Sequence, residues 1–99
     1  MFFYLISLGA NVEIRNKNGV NLMHKAAMDD NTYIITYLRD KCNFDIKEVD
    51  YEGNTPLHYA CFNLQECAAN WLIGFGSEVN ALNKNKDTPL HMLLSSGEI

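Results

Sequence analysis

The feature that most constrains the fold of this chain is an internal repeat with a period of 33 to 34 residues. The segment GNTPLHYAC, from Gly53 to Cys61, recurs as KDTPLHMLL, from Lys86 to Leu94, with Thr, Pro, Leu and His in the same register. A less regular copy, GVNLMHKAA, begins at Gly19. A period of this length indicates a repeat architecture, in which each unit stacks on its neighbours instead of folding around one central core.

The middle copy shows how one unit begins. Thr55 is a favourable N-cap residue, and Pro56 suits the first helical position, where its missing N–H costs nothing. A first helix is therefore predicted to start there. Its apolar side chains follow at helical spacing and form one narrow stripe, made of Leu57, Ala60, Cys61 and Leu64.

A second helix is predicted from about residue 65 to residue 75, and it ends where Gly76 can supply a left-handed C-cap. The polar run from Ser77 to Lys86 then predicts a turn and an extended tip. Each unit is thus helix, turn, helix and projecting loop, and it must stack on a neighbour to bury its apolar surface. The predicted packed face of the second helix consists of Ala68, Trp71, Leu72 and Phe75.

The segments TPLHYA and TPLHML, followed by FGSEVNALN, resemble the ankyrin repeat, whose pattern is TPLHxAA with GADVNA near its end. The resemblance covers essentially the whole chain. It implies an all-α solenoid of stacked helix-turn-helix units with β-hairpin-like fingers. In that family the repeated histidine hydrogen-bonds within and between the turns, which implies a structural role for His24, His58 and His91.

Three departures from the family pattern bear on local structure. Asn21 and Leu22 stand where the family has Thr and Pro, and Lys86 replaces the usual turn glycine. An extra residue near Cys42 is predicted to lengthen the end of a helix. We expect these departures to weaken local capping without changing the family.

Aligned on this pattern, the chain divides into four parts. Residues 1–18 are predicted to be the second helix and tail of an incomplete repeat, 19–52 and 53–85 are predicted repeats, and 86–99 is the first helix of another incomplete repeat. Apolar residues at both ends lead us to expect a fragment of a longer array, with flanking repeats or partner chains over both ends. These residues are Phe2, Phe3, Leu5, Ile6, Leu8, Leu90, Leu93, Leu94 and Ile99.

Charge and cysteine content limit the partners and the compartment. Eight Lys and Arg against twelve Asp and Glu give a net charge of -4 and no basic stripe, so neither nucleic acid nor direct membrane contact is expected. Three cysteines without a CxxC pair argue against disulfides and a zinc ribbon. A cytoplasmic location is therefore predicted, with the nucleus as an alternative. The apolar start could also suggest a signal peptide, but it lacks a basic region before it.

No catalytic residues, metal ligands or cofactor are predicted. Histidines one repeat apart lie ~10 Å apart along a stack, too far to converge on a metal ion. His58 and Cys61 could imitate a nucleophile pair, yet Cys61 falls where the family has a core alanine. The sequence also lacks a phosphate-binding glycine loop and a GxSxG motif. We therefore predict that the chain is not an enzyme.

The resemblance implies a protein or peptide partner, held by the finger tips and the outer face of the first helix. Tyr51, Phe62 and Met28 stand out because aromatic residues and Met are enriched at interface centres, with ordinary surface scatter as the alternative. The function predicted is a protein–protein interaction module, a rigid scaffold within a larger intracellular protein or complex. Carried over position by position, the partner-binding residues are Lys17, Asn18, Val20, Met28, Asp29, Tyr51, Glu52, Asn54, Phe62, Asn63, Lys84, Asn85 and Asp87.

Two narrower resemblances remain open. Leu72, followed by EVNA at residues 78–81, resembles the pattern in which ankyrin asparagines are hydroxylated by an oxygenase, which makes Asn80 a possible modification site. The alternative is that Asn80 only orders its turn. The segment GNTPLHYACFN also resembles ankyrin segments attached to palmitoyltransferases. An alternative function is therefore a regulatory or substrate-recruiting segment of such a membrane-bound enzyme.

Overall fold

The structure is a computed structural model that describes residues 8, 9 and 13–95. Within these residues the secondary structure is helical, with no strand, which confirms the predicted all-α fold. First helices pack on first helices, α1 on α3 and α3 on α5, while α4 contacts both α1 and α2. The helices are α1 (Leu22–Met28), α2 (Thr32–Lys41), α3 (Pro56–Phe62), α4 (Glu66–Gly74) and α5 (Pro89–Ser95).

Each first helix starts with the same reciprocal cap. The Asn21 Oδ1 atom accepts a hydrogen bond from the N–H of His24 at 2.9 Å, and Nδ1 of His24 accepts one from the N–H of Asn21 at 3.1 Å. The expectation that Asn21 weakens this cap was wrong, because asparagine caps a helix as well as threonine does. The later helices repeat the arrangement with Thr55 and His58 and with Thr88 and His91.

The core runs along the stack between successive helices. Ala60 of α3 is fully buried, and its small side chain allows neighbouring helices to approach closely. Ala68 and Leu72 of α4 are also fully buried, as predicted for that face. The other large apolar side chains of the core are Met23, Ile35, Leu38, Ile46 and Leu57.

Trp71 does not belong to this core, although the sequence placed it on the packed face of α4. Its side chain is 46% exposed, and its Nε1–H donates a hydrogen bond to Oγ1 of Thr36 on α2 at 2.5 Å. The indole also packs edge-on against Phe75. The buried residues of α4 are Ala68 and Leu72, so Trp71, which directly precedes Leu72, lies at the edge of the buried face.

The second helix of the first repeat, α2, is one residue longer than its counterpart α4, as the extra residue near Cys42 predicted. α2 has 10 residues and α4 has 9. After α2 the left-handed position is taken by Asn43, with φ 56°, and after α4 it is taken by Gly76, with φ 100°. Asparagine tolerates this conformation better than most side chains.

The repeat boundaries stay a prediction, but the helix pairs fall inside them. α1 and α2 lie within 19–52, α3 and α4 within 53–85, and α5 within 86–99. Leu8, Leu90 and Leu94 are exposed. In the described ranges, no helix combines the length and apolarity that crossing a membrane requires. The helix predicted in 1–18 and the end residues Phe2, Phe3, Leu5, Ile6 and Ile99 lie outside the described residues.

Candidate protein-binding surface

The three fingers, at residues 16–20, 50–54 and 83–87, are each built around one Asn or Asp side chain. In the second finger, Oδ1 of Asp50 accepts hydrogen bonds from the backbone N–H groups of Glu52 at 2.9 Å and Asn54 at 2.8 Å. The Asp50 N–H in turn donates to the Asn54 carbonyl oxygen at 3.0 Å. Sequence reasoning missed Asp50 and its counterparts in the other fingers, although an Asn or Asp at the same place in three copies is a turn signal. Asn16 and Asn83 organise the first and third fingers in the same way.

The turn of each finger passes through one left-handed residue. Gly19 and Gly53 both have φ 80°, and Lys86 has φ 65°. At Gly19 and Gly53 a side chain is disfavoured both by the positive φ and by a steric clash with the neighbouring finger. A Cβ at Gly53 would lie 3.0 Å from the backbone N of Lys84, and one at Gly19 would lie 2.6 Å from Cδ1 of Tyr51.

Backbone hydrogen bonds join neighbouring finger tips. The N–H of Tyr51 donates to the carbonyl oxygen of Asn18 at 3.0 Å, which ties the second finger to the first. The N–H of Lys84 donates to the carbonyl oxygen of Glu52 at 2.8 Å, which ties the third finger to the second. Because these bonds use only main-chain atoms, the tip side chains remain available for a partner.

The repeated histidines connect the first helices to the fingers. His24 Nε2 lies 2.9 Å from the carbonyl oxygen of Glu48 and 3.0 Å from that of Asn54, and His58 Nε2 lies 2.8 Å from that of Asp87. Since Nδ1 accepts a hydrogen bond from a backbone N–H, the proton must be on Nε2, which donates to these carbonyls. Burial lowers the pKa of His24 below its ordinary value and outweighs the opposing hydrogen bonds. Both rings therefore have the structural role that the family resemblance implied.

Tyr59 is a residue of this surface that sequence reasoning did not select. It occupies the variable position of TPLHYA on α3, and its hydroxyl donates a hydrogen bond to Oδ2 of Asp50. Burial acts to raise the pKa of Asp50, but the hydrogen bonds from Tyr59 and Asn54 outweigh it, so this pKa lies below its ordinary value. Burial and the Asp50 carboxylate together raise the pKa of Tyr59.

An inner groove lies between the first finger and the first helices. Tyr59 forms one wall, and its ring packs edge-on against His24. Lys25, at the same repeat position as Tyr59, pairs with Asp29 at 3.3 Å. The apolar lining of the groove makes it suited to a side chain of a partner. The residues that define this inner groove are Ile14, Arg15, Asn16, Asn18, Val20, Asn21, Leu22, Lys25, Met28 and Tyr59.

The predicted partner-binding residues fall into three groups: half-buried in the inner groove, half-buried in the finger framework, and exposed. Val20 and Met28 are half-buried in the inner groove, while Asn54 and Asp87 are half-buried in the finger framework. The structure brings the tips together in pairs, Asn18 with Tyr51 and Glu52 with Lys84. Their role in binding stays a prediction. The exposed members of the set are Lys17, Asn18, Asp29, Tyr51, Glu52, Phe62, Asn63, Lys84 and Asn85.

The remaining candidate sites have simple surroundings. Asn80 is exposed, and its N–H donates to Oε1 of Glu78 at 3.1 Å, so the Glu78 side chain closes this turn. Hydroxylation of Asn80 stays a prediction. Cys61 is a free, half-buried thiol whose pKa is raised by burial, which disfavours the thiolate. Among the described residues, no group of three or more His, Cys, Asp or Glu side chains is placed to hold a metal ion.

Comparison with known proteins agrees with this geometry. Residues 1–75 match the family described as ankyrin repeats in three copies. The chain belongs to the ankyrin-repeat family. Ankyrin repeats are in general protein–protein interaction modules, and their fold is typically non-catalytic.

Individual relatives are much longer than this chain. It is 36% identical to the human transient receptor potential cation channel subfamily A member 1, over 96% of this chain and 9% of that protein. It is 32% identical to the target of rapamycin complex 2 subunit AVO2 of Saccharomyces cerevisiae, over 97% of this chain and 23% of the relative. It is 30% identical to the palmitoyltransferase AKR1 of Lachancea kluyveri, over 89% of this chain and 12% of that protein. The chain thus spans less than a quarter of each of these relatives.

Proposed function

We propose that this chain is a rigid binding scaffold for a protein or peptide, and that the finger tips and the inner groove form its binding surface. The observation that carries the proposal is the position of Tyr51. Its ring lies on the backbone of Gly19, yet its side chain is 58% exposed. Large aromatic side chains held in place and open to solvent are typical anchors of protein interfaces.

Rigidity supports the same proposal. The Asx turns, the histidine bonds and the links between tips fix the backbone of the fingers before a partner arrives. A surface that is already ordered loses less conformational entropy when it binds. Phe62, 44% exposed at the end of α3, and Met28, half-buried at the end of α1, add apolar area at matching places of two repeats.

A second apolar surface supports coverage of the stack by a further helix. Ala60, Cys61, Leu64 and Ala69, together with Leu93 of α5, line a groove beside α3 and α4. One repeat earlier, the corresponding surface beside α1 and α2 is covered by α4. We propose that a flanking repeat or a partner chain places a helix here, as part of a larger intracellular protein or complex.

Site-specific photo-crosslinking tests the binding surface. A benzophenone amino acid is placed at Tyr51 or at Phe62, and a matched control is placed at Tyr33, which is 73% exposed on α2. In a lysate of the source cells we expect a discrete protein adduct from positions 51 and 62 and none from 33. Adducts only from position 33, or from no position, would contradict the proposal.

Alanine substitution of the two aromatic residues provides the second test. Once the partner is captured, Tyr51→Ala and Phe62→Ala should each weaken its binding by about tenfold, as the loss of an aromatic interface residue commonly does. Circular dichroism melts check that the variants remain folded. Unchanged affinity would remove both residues from the binding surface.

A second candidate function is a regulatory or substrate-recruiting segment of a membrane-bound palmitoyltransferase. It is favoured by the 30% identity to the palmitoyltransferase AKR1 of Lachancea kluyveri over 93 residues. The coding sequence around this segment decides between the two candidates. Continuation into transmembrane spans and a DHHC motif would support the enzyme, and their absence would support the scaffold.

A further inference from the structure

The finger tips present a short column of basic and aromatic side chains. The residue that follows the turn-forming Asn or Asp is Lys17 in the first finger, Tyr51 in the second and Lys84 in the third. All three are exposed. The backbone bonds between tips set these positions side by side along the stack. We call this set, Lys17, Tyr51 and Lys84, the tip column.

Among the described residues, the lysines of the tip column form no ion pair. The ion pairs of the described residues join Arg15 to Glu48, Lys25 to Asp29 and Arg39 to Asp40. Neither Lys17 nor Lys84 lies within 4.0 Å of a carboxylate in residues 13–95. Both ammonium groups of the tip column are therefore open to anionic groups of a partner, on a chain whose net charge is -4.

We propose that the tip column binds an extended acidic segment of the partner, with an apolar residue opposite Tyr51. This inference rests on the proposed function and specifies the chemistry of the partner. Charge complementarity assigns carboxylates to Lys17 and Lys84, and the exposed ring between them assigns an apolar side chain to the centre. The Tyr51 hydroxyl can also donate a hydrogen bond to a carboxylate nearby.

The repeat spacing sets the register of the segment. Stacked helices lie ~10 Å apart, and an extended chain in the polyproline II conformation rises ~3.1 Å per residue with about three residues per turn, so every third side chain faces a successive tip. The acidic residues should therefore be at positions i and i+6, with the apolar residue at i+3. Glu52 disfavours an acidic residue at the centre, because it is exposed next to Tyr51 on the same tip.

A synthetic peptide tests this register directly. The probe is a capped nine-residue peptide with glutamate at positions 2 and 8, leucine at position 5, and serine elsewhere. The full 99-residue chain is titrated with it, and amide chemical shifts are followed by NMR. We expect the largest changes at residues 17, 51 and 84. A peptide of the same composition with leucine moved to position 1 should bind more weakly by about threefold or more, since it loses the contact with Tyr51.

Matched charge variants provide the control. Lys17→Gln with Lys84→Gln should weaken binding of the probe by about two- to twentyfold, because each exposed charge pair contributes modestly. Lys41→Gln with Lys47→Gln removes the same charge from exposed lysines elsewhere and should leave binding unchanged. Raising the salt from 0.05 to 0.5 M should weaken the wild-type interaction, because the Debye length falls to a few ångströms.

Several outcomes would overturn the inference. These are equal weakening by the two double variants, equal binding of the two peptides, or an unchanged affinity when both glutamates of the probe become glutamine. The last test needs no protein variant, so it holds even if a variant fails to fold. If an unrelated DNA duplex, or vesicles with 30% phosphatidylserine, bound more strongly than the peptide probe, the ligand of the tip column would be nucleic acid or membrane and not an acidic segment. If Tyr51 captures a protein but these peptide tests fail, only the acidic chemistry is wrong.

Discussion

Nε2 of His58 donates a hydrogen bond of 2.8 Å to the carbonyl oxygen of Asp87, so a ring buried under one helix cap holds the next finger in place. The Nδ1 atom of the same ring accepts the N–H of Thr55 at 3.1 Å. His24 makes the equivalent pair of bonds one repeat earlier. The bond at Nδ1 requires a neutral ring, because a protonated Nδ1 can no longer accept, whereas Nε2 donates in either state.

The stability of the array should therefore decrease in mildly acidic solution. Burial holds the pKa of His24 below the unfolded value of 6.5, so the unfolded chain binds a proton first. The contribution of His24 is complete above pH 6.5 and is lost as the pH falls through its folded pKa. Urea unfolding at pH 7.5, 6.5 and 5.5 measures this decrease. It should become shallower in His24→Gln, and an identical profile in that variant would contradict the assignment.

Lys86→Gly should stabilise the third finger. Lys86 has φ 65° at the position where Gly19 and Gly53 stand, and a side chain there costs ~1–2 kcal/mol. After the greater entropy of glycine in the unfolded chain is subtracted, we expect a gain of about 0.5 to 1 kcal/mol in the free energy of unfolding. The control is Lys84→Gly in the same finger, which relieves no positive φ. A gain of the same size in both variants would show that the effect is unrelated to φ.

Asp30 should stabilise a helix of the following repeat. Its Oδ1 accepts the N–H of Ala68 at 2.7 Å, and the N-cap residue of α4, Gln65, makes no side-chain cap of its own. Asp30→Ala should cost about 1 to 2 kcal/mol, as the loss of an N-cap does. Leu64→Ala is the matched control, because Leu64 has the same left-handed turn conformation and is exposed. Denaturant unfolding should show a change within about 0.5 kcal/mol for the control. Equal losses in both variants would exclude the cap.

The Tyr59 hydroxyl should stabilise the second finger through Asp50. Tyr59→Phe removes a hydrogen bond to a buried carboxylate and should cost about 1 to 3 kcal/mol at neutral pH. Asp50→Asn keeps the turn, since Asn16 and Asn83 organise the other fingers. In the Asp50→Asn background the cost of Tyr59→Phe should therefore be smaller. A double-mutant cycle of unfolding free energies measures the coupling, and additive losses would show that the two groups act independently.

The sequence was sufficient for features that depend on neighbours along the chain. Pro56 and Pro89 are the first residues of α3 and α5, and Leu57, Ala60 and Leu72 are buried as the apolar pattern predicts. These outcomes follow from capping chemistry and helical periodicity, and both signals recur along the repeats.

Contacts between repeats could not be predicted in the same way. The cap that Asp30 provides for Ala68 joins residues far apart in the sequence, and nothing near Asp30 indicates which helix it serves. Trp71 was assigned to the wrong surface because periodicity gives the direction of a face and not its width. Tyr59 was missed because its role depends on how α3 lies under the second finger.

The links between Asn18 and Tyr51 and between Glu52 and Lys84 involve only peptide groups. Replacing a tip side chain therefore leaves the hydrogen bond that aligns the loops intact. Homologues can accumulate different residues at these places without losing the arrangement of the loops. Divergence at the tips can thus alter which molecule is recognised while the stability of the stack is preserved.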